Sequence, residues 1–524
     1  MWFIGSCANF PAISRVSRHA LLLALVLLAC IAALASTPVG SDEVKKLIRD
    51  AARSTRAGSF AESEALLRRA VALDGKRTDA KVELAFVLTK QRILLEAYDL
   101  AFAVAKTEPK NSRALSVLGA TMLTAGHFRE ARLMFLAAIK LNKREHLAWA
   151  GFGMLDFYEN NIEEGLANLR EAVFYEPNEP DYLFALAQVS ARSERYKEAA
   201  DAYEAFLNIS SSTDTERRER IKGLISFLKY LGNASTIYRV AGKDSTTVPF
   251  ELVGNRPVIS LKINGSREPL RFVLDTGSGI SVISEEAAKR LDIKPVARGG
   301  TARGIGGDGK FDIVYGFVRE IAIGDVSLKN VPIYLRKFHR ENHNLDGYIG
   351  LALISKFLTT IDYGNQTFSL IKKTNEPSGT IAKNDLSLPL RLTSSGFLSG
   401  EVQLEGVETP LNFIVDTGAS VSVISDDVAK STGISPFLNG EKLRVIGSAG
   451  VTDDVPTFSL PRVTFGKNSR RDVMAVALDL DIINEASGFE QSGILGGNFL
   501  KDYRLTFDFK NSIVTFVLVK PDKE

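Results

Sequence analysis

Residues Arg271–Ser284 read RFVLDTGSGISVIS, and residues Asn412–Ser425 read NFIVDTGASVSVIS. The likeness continues into EEAAKRLDI after the first stretch and DDVAKSTGI after the second. This is an internal duplication, with Asp275 and Asp416 at equivalent places. The C-terminal half is therefore expected to fold as two like units, each built around one Asp-Thr-Gly turn. Phe272–Leu274 and Phe413–Val415 predict buried strands that deliver the two aspartates. Gly277 and Gly418 permit a sharp turn and a close backbone approach to each carboxylate.

A repeated carboxylate has a chemical meaning. A single carboxylate cannot both activate a water and protonate a leaving group. Two carboxylates about 3 Å apart cannot both ionise, so they share one proton, and one serves as base while the other serves as acid. Thr276 and Thr417 offer hydroxyls that could brace the two turns against each other. Ser278 follows the first Asp-Thr-Gly where Ala419 follows the second. A Ser278 hydroxyl donated to Asp275 would favour its ionised form, so the Asp275 side is expected to carry the negative charge more readily.

From these residues, 248–521 resembles a two-lobed aspartic peptidase of the pepsin/retropepsin type, and more narrowly the bacterial retropepsin-like peptidases with both lobes in one chain. Such enzymes are the standard instance of the shared-proton carboxylate pair. A second element carries the resemblance. The family places an apolar-apolar-Gly segment under the active-site loop. Here it is Tyr348-Ile349-Gly350 after Asp275 and Ile494-Leu495-Gly496 after Asp416, at similar offsets in the two halves. Each is followed by a predicted hairpin, TTIDYGNQTFSLI and LTFDFKNSIVTFV. The resemblance implies an aspartic endopeptidase with Asp275 and Asp416 catalytic, a polypeptide substrate, no cofactor, no metal and a monomeric active unit. The alternative is a catalytically silent peptide-binding or scaffold protein that keeps the fold.

Thr301–Lys310 reads TARGIGGDGK and holds G-x-G-x-x-G at Gly304, Gly306 and Gly309. A dinucleotide site needs a strand before the glycines and a helix after them. Here a polar segment precedes them and the strand-like FDIVYGFV follows, so no nucleotide is expected. The resemblance implies instead a flap that closes over substrate, at Gly304, Ile305, Gly306 and Gly307. Gly447, Ser448, Ala449 and Gly450 form its counterpart. His339, Glu341 and His343 are expected in an exposed loop.

The N-terminal half has a different period. Phe60, Leu94, Phe128, Ile162 and Tyr196 are evenly spaced, and a small residue follows three positions after each, at Ser63, Ala97, Ala131, Gly165 and Ala199. A period of about 34 residues, with helix pairs that cross at small residues, resembles the tetratricopeptide repeat. Such units bury their apolar faces only by stacking into a solenoid. About five repeats over 42–210 are expected, with a protein partner on the solenoid. Its aromatics, Trp149 and Phe157 among them, are expected in the packing.

Residues 1–19 hold Arg15 and Arg18 and no acid, and Ala20–Leu34 is apolar throughout. With Ala33-Leu34-Ala35 as a small-x-small site, 1–35 reads as a signal peptide, too short to span comfortably. Lipidation at Cys30 is the alternative. Both cysteines, Cys7 and Cys30, fall in this leader. An exported chain without disulfides suits a bacterial periplasm or secretion. A net charge of +3 over 524 residues gives no sign of nucleic-acid binding. The remaining divisions are a capping helix at 211–240, a linker at 241–247, a first lobe at 248–372, an inter-lobe linker at 373–385 and a second lobe at 386–521. The fold class is thus all-α solenoid followed by all-β two-lobed peptidase, with no membrane span once the leader is removed.

Overall fold

The computed structural model describes residues 39–234, 236–339, 344–373 and 387–519. The leader with its two cysteines and most of the 373–385 segment lie outside them. Among the described residues no helix is long and apolar enough to cross a membrane.

Five helix pairs make the N-terminal region: Val39–Arg56 with Phe60–Leu73, Thr78–Lys90 with Leu94–Thr107, Ser112–Thr124 with Phe128–Leu141, His146–Tyr158 with Ile162–Tyr175, and Pro180–Arg192 with Tyr196–Ile209. Each of the five periodic positions begins the second helix of its pair. The small residue three places on is buried in every repeat. At Gly165 the helices come so close that a Cβ would stand 2.9 Å from the Gly153 carbonyl oxygen. The period therefore encodes both where the helices start and where they cross. The turn inside each pair contains one residue with positive φ, at Gly58, Arg92, Gly126, Asn160 and Glu194, on the same period. Charged residues join distant repeats: Lys90 bonds Asp181, which also accepts from Arg217 at 2.6 Å.

The capping region departs from the expected single helix. It forms two, Thr215–Arg220 and Leu224–Asn233. The break falls at Gly223, packed so tightly on the first lobe that a Cβ would stand 2.5 Å from the Arg298 carbonyl oxygen. The expected linker at 241–247 is also largely strand. Arg239–Gly242 pairs with Val326–Lys329, and Ser245–Val253 pairs with the Thr367–Lys372 strand. The β-branched run Thr246-Thr247-Val248 favours this extension.

From there the chain is mostly β. Sheets of 14 and eight strands are present. Six strands of the larger one bridge the lobes in the order Ser387–Pro389, Ile513–Leu518, Tyr503–Asp508, Phe357–Asp362, Thr367–Lys372 and Ser245–Val253. Phe357–Asp362 of the first lobe pairs antiparallel with Tyr503–Asp508 of the second, with Thr360 opposite Thr506. Phe368, Leu370, Phe507 and Phe516 of this sheet lie in one core shared by both lobes. Their burial fixes the lobes relative to each other and so sets the separation of the two aspartates.

Candidate active site

The two halves repeat at the level of hydrogen bonds. Asp275 follows the strand Leu270–Leu274, and its N–H donates to the Ile349 carbonyl at 3.0 Å. Asp416 follows Leu411–Val415, and its N–H donates to the Leu495 carbonyl at 2.9 Å. The under-loop glycines occupy matching places. The Gly350 N–H donates to Ser281 Oγ and the Gly496 N–H to Ser422 Oγ, both at 3.1 Å. A Cβ on Gly350 would stand 2.8 Å from the Ser278 carbonyl oxygen, and one on Gly496 2.6 Å from the Val421 carbonyl. Only glycine lets these segments press so closely against the carboxylate loops.

The two loops lock together reciprocally. Thr276 Oγ1 donates to the Val415 carbonyl at 2.6 Å and accepts the Thr417 N–H at 3.0 Å. Thr417 Oγ1 donates to the Leu274 carbonyl at 2.7 Å and accepts the Thr276 N–H at 3.2 Å. Both threonines are fully buried. Each carboxylate accepts the N–H two residues on, Gly277 to Asp275 Oδ1 at 3.0 Å and Gly418 to Asp416 Oδ1 at 2.7 Å. Each also lies against the opposite loop. A Cβ on Gly277 would stand 2.5 Å from Asp416 Oδ2, and one on Gly418 2.6 Å from the carboxyl carbon of Asp275.

The half-buried aspartates are thus within hydrogen-bonding reach of each other. Burial raises Asp275 well above the ordinary carboxylate range, and the Asp416 charge and hydrogen bond raise it further. Burial raises Asp416 too, but the Gly418 N–H and a hydrogen bond from Asp275 hold it back. The two carboxylates therefore hold one proton between them. The expectation from Ser278 loses its physical basis, because the hydroxyl donates to the Ile280 carbonyl at 2.8 Å and leaves the carboxylate alone. Ala419 donates its N–H to the Asp416 carbonyl oxygen at 3.4 Å.

The glycine-rich segments cap two long hairpins, Pro295–Arg303 with Lys310–Ile323 and Leu438–Ile446 with Val451–Phe465. A strand and not a helix follows Gly309. The hairpin tips meet. The Ala449 N–H donates to the Ile305 carbonyl at 2.8 Å, and the Gly307 N–H to the Val451 carbonyl at 3.3 Å. Gly304 closes its own turn through Gly309 at 3.0 Å, and Gly447 through Gly450 at 2.8 Å. Gly306 and Gly307 have positive φ of 89° and 57°. Arg336 of the first lobe bonds the Ser448 carbonyl. His339 is exposed, Glu341 and His343 lie outside the described residues, and no metal-holding cluster of His, Cys, Asp or Glu occurs among the described ones.

Three arginines escaped the sequence reading. Arg256 is close enough for its charge to act on both Asp275 and Tyr348. Arg336 stacks over Phe311 with its guanidinium carbon 3.6 Å from the ring centroid. Arg192, from the last solenoid repeat, lies beside the first Asp-Thr-Gly loop, where a Cβ on Gly279 would stand 3.4 Å from its Nη1. The available signal for Arg256 was a difference between the duplicated halves. None existed for Arg192, which belongs to a different domain far upstream of Asp275.

Comparison with known proteins matches residues 259–353 and 400–499 to an aspartyl protease family. The N-terminal helices are similar to a thermophilic TPR protein of Thermus thermophilus, at 18% identity over 33% of this chain and 96% of that one, with a TM-score of 0.30. They are also similar to pilF of Pseudomonas aeruginosa, at 15% over 37% and 88% with a TM-score of 0.28. A third match is MamA of Desulfovibrio magneticus, at 20% over 32% and 95% with a TM-score of 0.24. The even recurrence of helix pairs in the chain itself makes this region a tetratricopeptide-type array. Both Asp-Thr-Gly loops fall inside the two stretches of the C-terminal half that match the aspartyl protease family.

Proposed function

We propose that this chain is an aspartic endopeptidase whose catalytic groups are Asp275 and Asp416. The observation that carries the reading is the reciprocal packing of the two loops, each carboxylate set against the other loop's glycine and both loops cross-bonded through Thr276 and Thr417. Such a pair holds one proton. The ionised Asp416 takes a proton from a water as that water attacks the scissile carbonyl carbon. The protonated Asp275 donates to the carbonyl oxygen, where charge develops. The gem-diol intermediate then collapses: Asp416 gives its proton to the leaving nitrogen, the C–N bond breaks, and Asp275 takes a proton from a gem-diol hydroxyl, so the starting state returns with no covalent enzyme intermediate. The two hairpin tips act as flaps that part to admit an extended peptide and close over it. Fusion of the lobes supplies both aspartates from one chain, at the high effective concentration of an intramolecular pair.

The solenoid serves in this reading as a protein-interaction module, and the leader directs export to the periplasm or beyond. Amino-terminal sequencing of the protein from its native cells tests the latter, with Ser36 expected at the start.

The deciding experiment is digestion of an unfolded protein library by the mature chain from about pH 4 to 8, beside Asp416→Asn and a statine-type inhibitor. Cleavage that disappears with both is expected. Cleavage that persists in the variant overturns the assignment. Library peptides retained without cleavage favour the silent peptide-binding reading.

A further inference from the structure

The duplication allows each cleft residue of one lobe to be matched to its counterpart in the other by strand register. Val258 pairs with Val273 in the first lobe, and Ser399 with Ile414 in the second. Two residues before these stand Arg256 and Phe397. Ser284 pairs with Arg336, and Ser425 with Leu478. Val282 pairs with Tyr348, and Val423 with Ile494. At all three positions the first lobe is polar or cationic and the second is apolar.

The two sets have correspondingly different surroundings. Phe397, Leu478 and Ile494 belong to one apolar cluster that also takes in Ile305 of the first flap tip and Ala419 beside Asp416. That cluster therefore reaches from the dyad loop to the flaps. On the other side, the Tyr348 phenol feels Arg256, Arg336 and Asp275 together, so these four groups share one space. Arg336 reaches from there to the second flap tip at Ser448. Neither Arg256 nor Arg336 has an ion-pair partner among the described residues. Burial lowers Arg336 to about 10, which leaves it charged at neutral pH. Arg256 donates Nε to the Val253 carbonyl at 3.3 Å, and Arg336 bonds the Ser448 carbonyl and stacks on Phe311, so both half-buried guanidinium groups rest on neutral partners and would make charge-assisted hydrogen bonds with a carboxylate on a bound chain.

Resting on the peptidase reading above, we infer that the cleft is polarised: the first lobe, through Arg256 and Arg336, selects an acidic side chain on one side of the scissile bond, while the second, through Phe397, Leu478 and Ile494, selects a large apolar one on the other. A symmetric pair of apolar pockets would take hydrophobic residues on both sides. This cleft discriminates by charge on one side only, and so sets the direction in which a chain can lie.

The test uses the full chain and four reduced-bond peptide isosteres, with Glu or Gln on one side of the isostere and Phe on the other, in both orientations. Binding is measured by calorimetry at neutral pH. In one orientation the Glu peptide is expected to bind about tenfold more tightly than the Gln peptide, and in the other to show no advantage. Arg256→Gln and Arg336→Gln should each pull that ratio toward one. Equal affinity for Glu and Gln in both orientations, or no binding of either, overturns the inference without any variant having to fold. A ratio unchanged in both variants overturns the assignment to these arginines. Cleavage of the corresponding natural peptides runs alongside. Charge-selective binding without cleavage sinks the peptidase reading and leaves the polarised cleft standing. Cleavage without charge preference does the opposite.

Discussion

Arg92 and Asn160 occupy the same left-handed turn position two repeats apart, and both are bonded to the second peptidase lobe. Arg92 Nε donates to Glu490 at 2.8 Å, and Asn160 Nδ2 donates to the Phe509 carbonyl at 3.0 Å and to Ser512 at 2.8 Å. The repeats between and beyond them continue the line. Gly126 faces Asn412, and Glu194 bonds Lys356 of the first lobe. One edge of the solenoid, made of its intra-repeat turns, thus runs along the peptidase and engages both lobes.

The centre of this contact is Phe489. It is fully buried within the solenoid's own core, edge-on to Phe128 with centroids 4.9 Å apart and 5.0 Å from Tyr158. Phe489→Ala should therefore destabilise the whole chain by about 3–5 kcal/mol, the usual loss for a buried aromatic truncated to alanine. A peptidase cut free near Val248 should aggregate or melt early, because Phe489 would face water. Denaturant unfolding of the full chain and the fragment checks both. A fragment as stable as the full chain would mean that the solenoid is tethered and not docked.

The threonine cross-bonds make a second prediction. Thr276→Val leaves the Val415 carbonyl and the Thr417 N–H without their partner in a dry site. Each unsatisfied group costs about 1–3 kcal/mol. Thr276→Ser keeps the hydroxyl and should lose less than half as much. Thr417→Val should behave like Thr276→Val, because its bonds are the mirror of the first set. Melting temperature and kcat measured together should fall in parallel, since the same bonds hold the lobes and aim the carboxylates.

What could be read from the chain alone follows from repetition. The solenoid's even period gave away every second-helix start, because small residues at a helix crossing cannot be exchanged for large ones without separating the helices. The duplicated Asp-Thr-Gly loops and their glycine elements were equally readable, because close backbone approach leaves no room for a Cβ at Gly350 or Gly496. Contacts that occur once were not readable. The helix break at Gly223 depends on carbonyls far along the chain at Arg298, and the burial of Phe489 depends on solenoid side chains at Phe128 and Tyr158. The Ser278 expectation failed for a local reason. Its hydroxyl found a carbonyl two residues on before it could reach a carboxylate. Ser278→Ala should accordingly leave the acidic limb of the pH–rate profile in place, and a clear upward shift would mean that the hydroxyl turns to Asp275 when substrate binds.

The dyad itself makes stability and activity depend on pH in linked ways. Both aspartates are raised in the folded chain, chiefly by burial. In the unfolded chain they return to about 3.9. Between that value and the raised folded values the native state binds more protons than the unfolded one, so this pair makes the protein less stable as pH rises through the window. Each unit of upward shift corresponds to about 1.4 kcal/mol. Asp416→Asn removes one of the two buried acids and keeps the shape. It should raise the melting temperature at pH 7, and the gain should shrink toward zero near pH 3, where the wild-type pair is protonated in both states. Activity should move the other way, falling by a factor of about 10²–10⁴ at every pH. On the peptidase reading, the acidic and alkaline limbs should report the two successive protonation steps of the pair as a unit. A variant that is less stable than wild type at pH 7, or whose stability difference does not depend on pH, would show that the two carboxylates do not share a proton.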